Sequence, residues 1–225
     1  MFGTIINTAA VIAGGSLGLL LKKKMPERIT AIYFQAVGLF TLAIGISMLR
    51  NFDNILIVVS SLVLGSVLGE WIDIERGAEK FGDWLKRKFR IGSDRFSEGL
   101  ITAFLLFCMG SMTILGAIQD GVEGKSDLLL TKSFMDGFSS LLLASALGIG
   151  VLFSAIPLFI FQGSITLLAM WASSFFTPEI INGITSVGGI MLIGLGINLL
   201  NIKKLRIMNM LPALVIVAIL LWLFT

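Results

Sequence analysis

Apolar residues run through this chain in stretches close to the length of a membrane crossing, and the charged residues collect in the short segments between them. A helix needs about 20 residues to cross a hydrocarbon core. Eight stretches meet that length: Gly3 to Leu21, Thr30 to Leu49, Ile55 to Ile72, Gly99 to Ile118, Phe134 to Phe153, Ile156 to Ser174, Ile180 to Leu200 and Met208 to Phe224. Each is apolar on nearly all sides, the pattern of helices buried in lipid and against other helices. The expected fold class is all-α, a polytopic transmembrane helix bundle of about eight spans. Between spans five and six the only turn-like break is Ser154-Ala155-Ile156-Pro157, so a single bent element or a re-entrant hairpin is the alternative there.

The segment from Trp71 to Phe89 has a different pattern. Trp71, Ile74, Ala78, Phe81, Leu85 and Phe89 recur at spacings of three or four, with Arg76, Lys80, Lys86, Arg87 and Lys88 around the rest. That is an amphipathic helix suited to a membrane surface, as a linker resting on the inner leaflet or as a lipid-sensing arm. The layout is then one transmembrane domain, 1–225. Spans one to three occupy 1–72, and the interfacial helix and linker 73–97. Spans four to six occupy 98–176 with an outer loop at 119–133, and spans seven and eight occupy 177–225.

Composition narrows the class further. A mean hydropathy of +0.97, with 56% hydrophobic and 14% charged residues, is that of an integral membrane protein, since a soluble domain would expose too much apolar surface. The pI near 9.2 does not argue for nucleic acid, because the basic residues flank apolar spans. The absence of His removes imidazole from any metal site or proton relay. The single Cys108 lies in an apolar run and excludes an intrachain disulfide or thiolate cluster. Lysines follow the first apolar run and none precedes it, the reverse of a secretory signal, so the run is expected to stay as a span.

Lys and Arg also set an orientation. Lys22, Lys23, Lys24 and Arg28 follow span one, seven more lie between Arg76 and Arg95, and Lys203, Lys204 and Arg206 follow span seven. Eight spans put these loops on one side with 14 of the 17 basic residues, leaving Arg50, Lys125 and Lys132 opposite. The expectation is a multi-pass membrane protein with these loops on the cytoplasmic side and both termini outside.

The hairpin from Thr102 to Asp136 is the centre of chemical interest. Asp120 ends span four, while Lys132 and Asp136 begin span five, four residues apart and on one helical face. Charges at such positions are costly unless paired or wet, so Lys132 is expected to bridge Asp120 and Asp136 at the mouth of a cavity lined by Gly110, Ser111, Gln119 and Gln162. With Asn7 and Ser164 these are the candidate substrate or ion-path residues. For any one polar side chain, interhelical bonding alone is a sufficient role. Gly110, Gly116 and Gly121 suit a broken helix lining a cavity. Met109 and Met112 beside Cys108 are soft donors, but without His or a second Cys no metal site is expected, and neither a catalytic residue nor a cofactor is.

Two internal similarities stand out. Pro26-Glu27 followed by Ala36-Val37-Gly38 to Leu49 matches Pro178-Glu179 followed by Ser186-Val187-Gly188 to Leu200 with one residue of slip. Those spans would run in opposite directions, making spans one to three and six to eight inverted three-helix repeats. A second match, Ser60 to Gly69 with Ser139 to Gly148, joins spans running the same way and fits convergent packing faces. Ser61, Gly65 and Gly69 form one ridge of small residues, Ser140, Ala144 and Gly148 a second, and Ala10, Gly14 and Gly18 a third.

The run from Leu106 to Gly121, the entry Lys132-Ser133-Phe134-Met135-Asp136-Gly137, Phe161 to Thr166, the opening Gly3-Thr4-Ile5-Ile6-Asn7 and the final Asn209-Met210-Leu211-Pro212-Ala213 carry a resemblance along the whole chain. They are similar to the bacterial membrane proteins grouped as domain of unknown function 554, the YdfK/YqgA-like family. The resemblance implies an inner-membrane protein and singles out the hairpin; it brings no activity. A small-solute or ion transporter or channel, with its site near spans four to six, fits the polar residues within spans. A non-transporting scaffold or sensor is the alternative, and a membrane enzyme is disfavoured because no nucleophile–base pair or phosphate loop is visible. The partners named by this reading are the lipid bilayer, a small ion or solute and, as an option, further copies of the chain in a homo-oligomer; nucleic acid is not among them.

Overall fold

The computed structural model describes residues 1–22, 27–51, 54–88, 95–108, 111–171 and 175–224. Among them every regular element is a helix: α1 (Phe2–Lys22), α2 (Glu27–Ser47), α3 (Ile55–Ile72), α4 (Ile74–Lys88), α5 (Phe96–Cys108), α6 (Ser111–Val122), α7 (Asp127–Leu147), α8 (Gly150–Phe153), α9 (Ala155–Trp171), α10 (Pro178–Leu199) and α11 (Pro212–Phe224). Short 3-10 turns lie at Met48–Asn51 and Ile207–Met210.

Local chemistry fixes several boundaries. Asp73 ends α3 with φ 59°, a left-handed conformation that a short polar side chain tolerates, and its N–H returns to the carbonyls of Glu70 and Gly69. Thr177 caps α10, its hydroxyl accepting from Ile180 N, and Pro178 takes the first position, where no N–H is needed. Pro212 likewise opens α11, so the eighth apolar stretch is a 3-10 turn followed by a helix. The break between spans five and six is at Gly148, whose φ of 88° is easily reached only without a Cβ. Ser154 only interrupts the helical stretch Gly150–Trp171 between α8 and α9, where Pro157 has no N–H to offer the carbonyl of Phe153. α7 starts at Asp127, so the loop before it covers only 123–126, shorter than the expected 119–133. α5 and α6 meet at 60°, with residues 109–110 between them outside the described set. Thr113 donates across that break to Phe107 O at 2.7 Å and satisfies a carbonyl at the end of α5.

The chain gathers into two compact units, each assembled from separated segments. Unit 1 is Met1–Ile32, Ala78–Cys108 and Met112–Ser173. Its central contact is α1 on α7. A Cβ at Gly14 would lie 1.9 Å from Gly137 O, and one at Gly18 would lie 2.1 Å from Leu141 O, so the backbones touch. Numbering rises in step on both helices, and the pair is therefore parallel. α9 runs antiparallel to α1, with Thr4 beside Thr166 and Asn7 beside Gln162. Gly150 presses α8 onto Phe96 O, and Phe96 and Phe153 stack edge to face at 5.4 Å. Leu85 of the amphipathic α4 joins Phe96 and Leu100 in a buried cluster.

Unit 2 is Tyr33–Gly77, Met109–Ser111 and Ser174–Thr225. Here α2 meets α10 through Gly38 against Gly196 and Gly45 against Gly189, and α3 meets α11 through Gly65 against Ala213 and the 3-10 turn before it through Gly69 against Asn209. Both pairs are antiparallel, since numbering rises on one helix as it falls on the other. The polar side chains of this unit close a turn and tie the junction of α3 and α4 to the segment before α11. Asn198 donates to Leu205 O at 2.8 Å and accepts from Leu205 N at 2.7 Å. Asn209 accepts from Glu75 N and donates to Glu70, both at 2.7 Å, and the other Glu70 oxygen takes Arg206.

Among the described residues five helical stretches are long and apolar enough to cross a membrane: Phe2–Leu21, Ile55–Ile72, Gly150–Trp171, Pro178–Leu199 and Ile207–Phe224. The bent pair α5 and α6 would make a sixth if the two helices form one span. α2 contributes a shorter apolar stretch, Phe34–Ser47, and α7 carries charges at Asp127, Lys132 and Asp136. Large apolar side chains stand on the outside, among them Leu56 at 83% exposure, Phe134 at 80% and Trp171 at 90%. Water would not tolerate such a surface, whereas lipid is its natural solvent. The chain is an integral membrane protein of helical type.

The glycine contacts give a direct test. Gly14→Ala places a methyl group inside contact distance of a backbone carbonyl and should cost about 1–3 kcal/mol, lowering the midpoint of thermal unfolding in detergent. Gly77→Ala, with nothing within 4 Å of its new Cβ, should leave that midpoint unchanged or slightly raised. Equal midpoints for both variants would contradict the α1–α7 packing.

Candidate functional site

Polar groups climb one face of α1 at intervals of three residues, about 4.5 Å per step. At the first step the Met1 ammonium pairs with Asp120 Oδ2 at 2.7 Å, and Ser126 Oγ donates to Asp120 Oδ1 at 2.7 Å. Next, the hydroxyls of Thr4 and Thr166 lie 3.4 Å apart, both fully buried; Thr166 also donates to Gln162 O and Thr8 to Thr4 O. At the third step Asn7 joins three helices. Its Nδ2 donates to Asp136 Oδ2 on α7 at 3.1 Å and to Gln162 Oε1 on α9 at 3.0 Å. Beyond Asn7, Ser140 Oγ donates to Val11 O at 2.8 Å, and then the glycine seam closes the two helices together.

Asp136 is the electrostatic centre of this ladder. Lys132 Nζ donates to Asp136 Oδ1 at 2.7 Å and to Oδ2 at 2.8 Å, with side chains only 8% and 7% exposed. The i, i+4 spacing puts both on one face of α7, and Asn7 adds the carboxylate's third hydrogen bond. An ion pair so buried persists only if its remaining valences are met. Cys108, at the end of α5, is fully buried.

Two polar atoms of this network have no partner among the described residues. Asn7 Oδ1 and Gln162 Nε2 are buried and unbonded, at a cost of about 1–3 kcal/mol each. Exchanging O and N on either amide does not help, because it would set oxygen against carboxylate or amide nitrogen against amide nitrogen.

The sequence candidates divide on this geometry. Asn7, Lys132, Asp136 and Gln162 form one network. Asp120 is buried with them in unit 1 but at the other end of the ladder, and its partners are Met1 and Ser126. The expected Lys132 bridge between Asp120 and Asp136 is thus made to Asp136 alone. The reason is the earlier start of α7, which sets Asp136 nine residues beyond Asp127, about 14 Å along the helix and away from the loop. Gln119 is half-buried with an unbonded Oε1, and its side chain bonds toward Glu123 in the loop. Ser164 is exposed and donates to Ile160 O of its own helix, so it stands apart. Gly110 and the side chain of Ser111 lie outside the described residues. In the exposed loop the Lys125 ammonium, 3.0 Å away, holds the Glu123 carboxyl below the usual carboxylate range. The candidates omit Thr4, although its place three residues before Asn7 in the opening motif puts it on the same face. Among the described residues no group of three His, Cys, Asp or Glu side chains could hold a metal ion.

This ladder draws on the opening motif, the α7 entry and the Phe161 to Thr166 segment, and a family model spans all three. Described as protein of unknown function (DUF554), it matches residues 2–222. The chain belongs to the DUF554 family. It is 39% identical over 220 residues to "Uncharacterized membrane protein YdfK" of Bacillus subtilis (strain 168), covering 96% of this chain and 93% of that one. It is 33% identical over 221 residues to "Uncharacterized protein YqgA" of Escherichia coli (strain K12), covering 96% of this chain and 94% of the relative. No solved structure matches this DUF554 chain.

The charge pair predicts non-additive energetics. Lys132→Ala strands a buried carboxylate and should destabilise the protein by about 3–5 kcal/mol. Adding Asp136→Asn should recover part of that loss. Unfolding in a titration with denaturing detergent reads both variants, and losses that simply add would contradict the pairing.

Proposed function

We propose that this DUF554 protein is an eight-span inner-membrane protein that carries a small solute or ion along the α1 ladder. The observation that carries the reading is the buried Asn7–Asp136–Lys132–Gln162 network at the ladder's inner end. Helix association in a membrane needs no such group: α2 and α10 meet through facing glycines. Charges and unmet amides deep in apolar helices are kept where a path or a ligand uses them. Catalysis fits less well. The Thr4 and Thr166 hydroxyls lie 3.4 Å apart and Thr166 donates to Gln162 O, so among the described residues neither is paired with a general base.

Helix directions support the span count. If each of α1, α2, α3, the α5–α6 pair, α7, α8–α9, α10 and the stretch ending in α11 crosses once, α1 and α7 must run parallel. The pairs α1–α9, α2–α10 and α3–α11 must then run antiparallel, which is the packing described above. The three lysine- and arginine-rich loops fall on one side in that arrangement, the cytoplasmic side, with both termini outside. The inverted-repeat reading gains support from reciprocity. Gly38 and Gly45, seven apart on α2, face Gly196 and Gly189, seven apart on α10, and the reciprocal Cβ-to-carbonyl distances are 3.3 and 3.0 Å for one pair and 2.7 and 2.8 Å for the other. A two-fold relation between equivalent helices produces such a contact.

A scaffold or sensor is the second reading, favoured by α4. Phe81 and Trp84 stack at 6.0 Å with over 40% of each exposed, and Lys88 sits 4.6 Å above the Trp84 ring. That is a surface suited to the membrane interface.

Two measurements test the proposal. In a Cys108→Ser background, Lys80→Cys and Lys125→Cys should react with an impermeant maleimide from opposite faces of the membrane; labelling from one face would overturn the topology. Purified protein in liposomes should raise the flux of a small ion or solute above that of empty vesicles, and Asp136→Asn should reduce it at least tenfold. Flux equal to that of empty vesicles across ions and neutral solutes favours the scaffold.

A further inference from the structure

Resting on the transport reading above, the geometry points to a neutral solute that both donates and accepts hydrogen bonds, of the urea, amide or alcohol class, as the molecule handled at Asn7 and Gln162. Three features carry this. First, the site is electrically balanced: one ammonium and one carboxylate are in direct contact at 2.7 Å, each mostly enclosed. A cation entering would meet the Lys132 charge and an anion the Asp136 charge, with no surplus of the opposite sign to hold either. Second, the valences left over have opposite character. Asn7 Oδ1 can only accept and Gln162 Nε2 can only donate. They belong to the two amides joined by the 3.0 Å bond from Asn7 Nδ2 to Gln162 Oε1, so they lie on neighbouring groups, and in this closed packing a solute reaches them only as the helices part. An ion with donors only, or acceptors only, would leave one of them unmet.

Third, the surroundings fix which atoms are free. Asp136 and Gln162 take both protons of Asn7 Nδ2, which locks the Asn7 amide with its oxygen turned away from them. Lys132 and Asn7 together fill three of the about four hydrogen-bond positions of Asp136, so the carboxylate competes little for the solute's donor. The pair is thus a positioning element. The ladder of Thr4 and Thr166 hydroxyls reaches the amides from the Asp120 end. On the other side the backbone contacts of Gly14 with Gly137 and Gly18 with Leu141 bar passage while the helices stay together. Separation of α1 from α7 along that seam is the movement that would release a solute.

The experiment compares solutes of one shape and different charge. Wild-type protein in liposomes is mixed rapidly with urea, with glycerol or with guanidinium, which matches urea in shape but is a cation without an acceptor. Vesicle volume is followed by light scattering, and sodium and potassium entry by internal fluorescent indicators. Urea and glycerol should equilibrate at least tenfold faster than in protein-free vesicles, with guanidinium, sodium and potassium unaccelerated. Acceleration of any of those cations, with or without urea, overturns the neutral-solute assignment while leaving the transport reading in place. No acceleration of any solute or ion overturns both. Gln162→Glu keeps Oε1 for Asn7 and exchanges the free donor for an acceptor, so it should lower urea flux at least tenfold. Urea flux unchanged in Gln162→Glu overturns the assignment to this site. Wild-type selectivity decides the class of solute even if that variant does not fold.

Discussion

A charge pair inside a helix that must live in lipid sets the terms for unit 1. Lys132 and Asp136 cannot face hydrocarbon, so the face of α7 that carries them has to be covered by protein that offers hydrogen bonds and leaves little space. α1 does both. Its first half supplies Asn7, the third ligand of the carboxylate, and its second half supplies Gly14 and Gly18, which let the backbones meet. α9 then completes the cover with Gln162 and Thr166, both fully buried. Removing the small residues would push α1 off the pair, and removing the pair would leave Asn7 without its strongest partner. Packing and electrostatics are one constraint here.

Unit 2 solves helix association by other means. Its helices approach through glycine against carbonyl, and its asparagines sit at ends, where Asn198 and Asn209 hold the turn and the 3-10 segment before α11. Asn198 and Asn209 are thus structural, while Asn7, of the same type, is part of a charged network. Residue type alone does not separate these roles. What separates them is depth along a helix and the presence of a charge on the neighbouring one.

Much of the helical content was legible because its signal is long and one-dimensional. α3 coincides with its apolar stretch, Ile55 to Ile72, and the ridges of Gly14 with Gly18 and Gly65 with Gly69 mark close contacts, since small residues at four-residue spacing have few other uses. α4 was legible from its charged and aromatic faces. The start of α7 was not. Asp127, Thr131, Lys132, Ser133 and Asp136 together lower the apolar average of the helix, so a hydropathy reading moves its beginning to Phe134 and takes two buried charges for a loop mouth. The break between spans five and six was misplaced for a related reason: proline at 157 is the stronger textual mark, but a proline only kinks a helix that its neighbours support, while Gly148 allows the positive φ of a true turn. The partner of Asp120 could not be read at all, because nothing in spacing links Met1 to residue 120.

The central claim is that the first half of α1 lies antiparallel along α9 with the polar ladder between them. It is tested most directly by oxidative cross-linking of Thr4→Cys with Thr166→Cys in a Cys108→Ser background, since the native hydroxyls stand 3.4 Å apart and the thiols that replace them would be within reach of a disulfide. The account predicts near-complete loss of maleimide-reactive thiol after mild oxidation in the membrane, restored by reductant. Pairing Thr4→Cys with Ser164→Cys, on the exposed face of α9, should give no such loss. Free thiols at positions 4 and 166 after oxidation, or equal cross-linking in the two pairs, would contradict the arrangement on which the site depends.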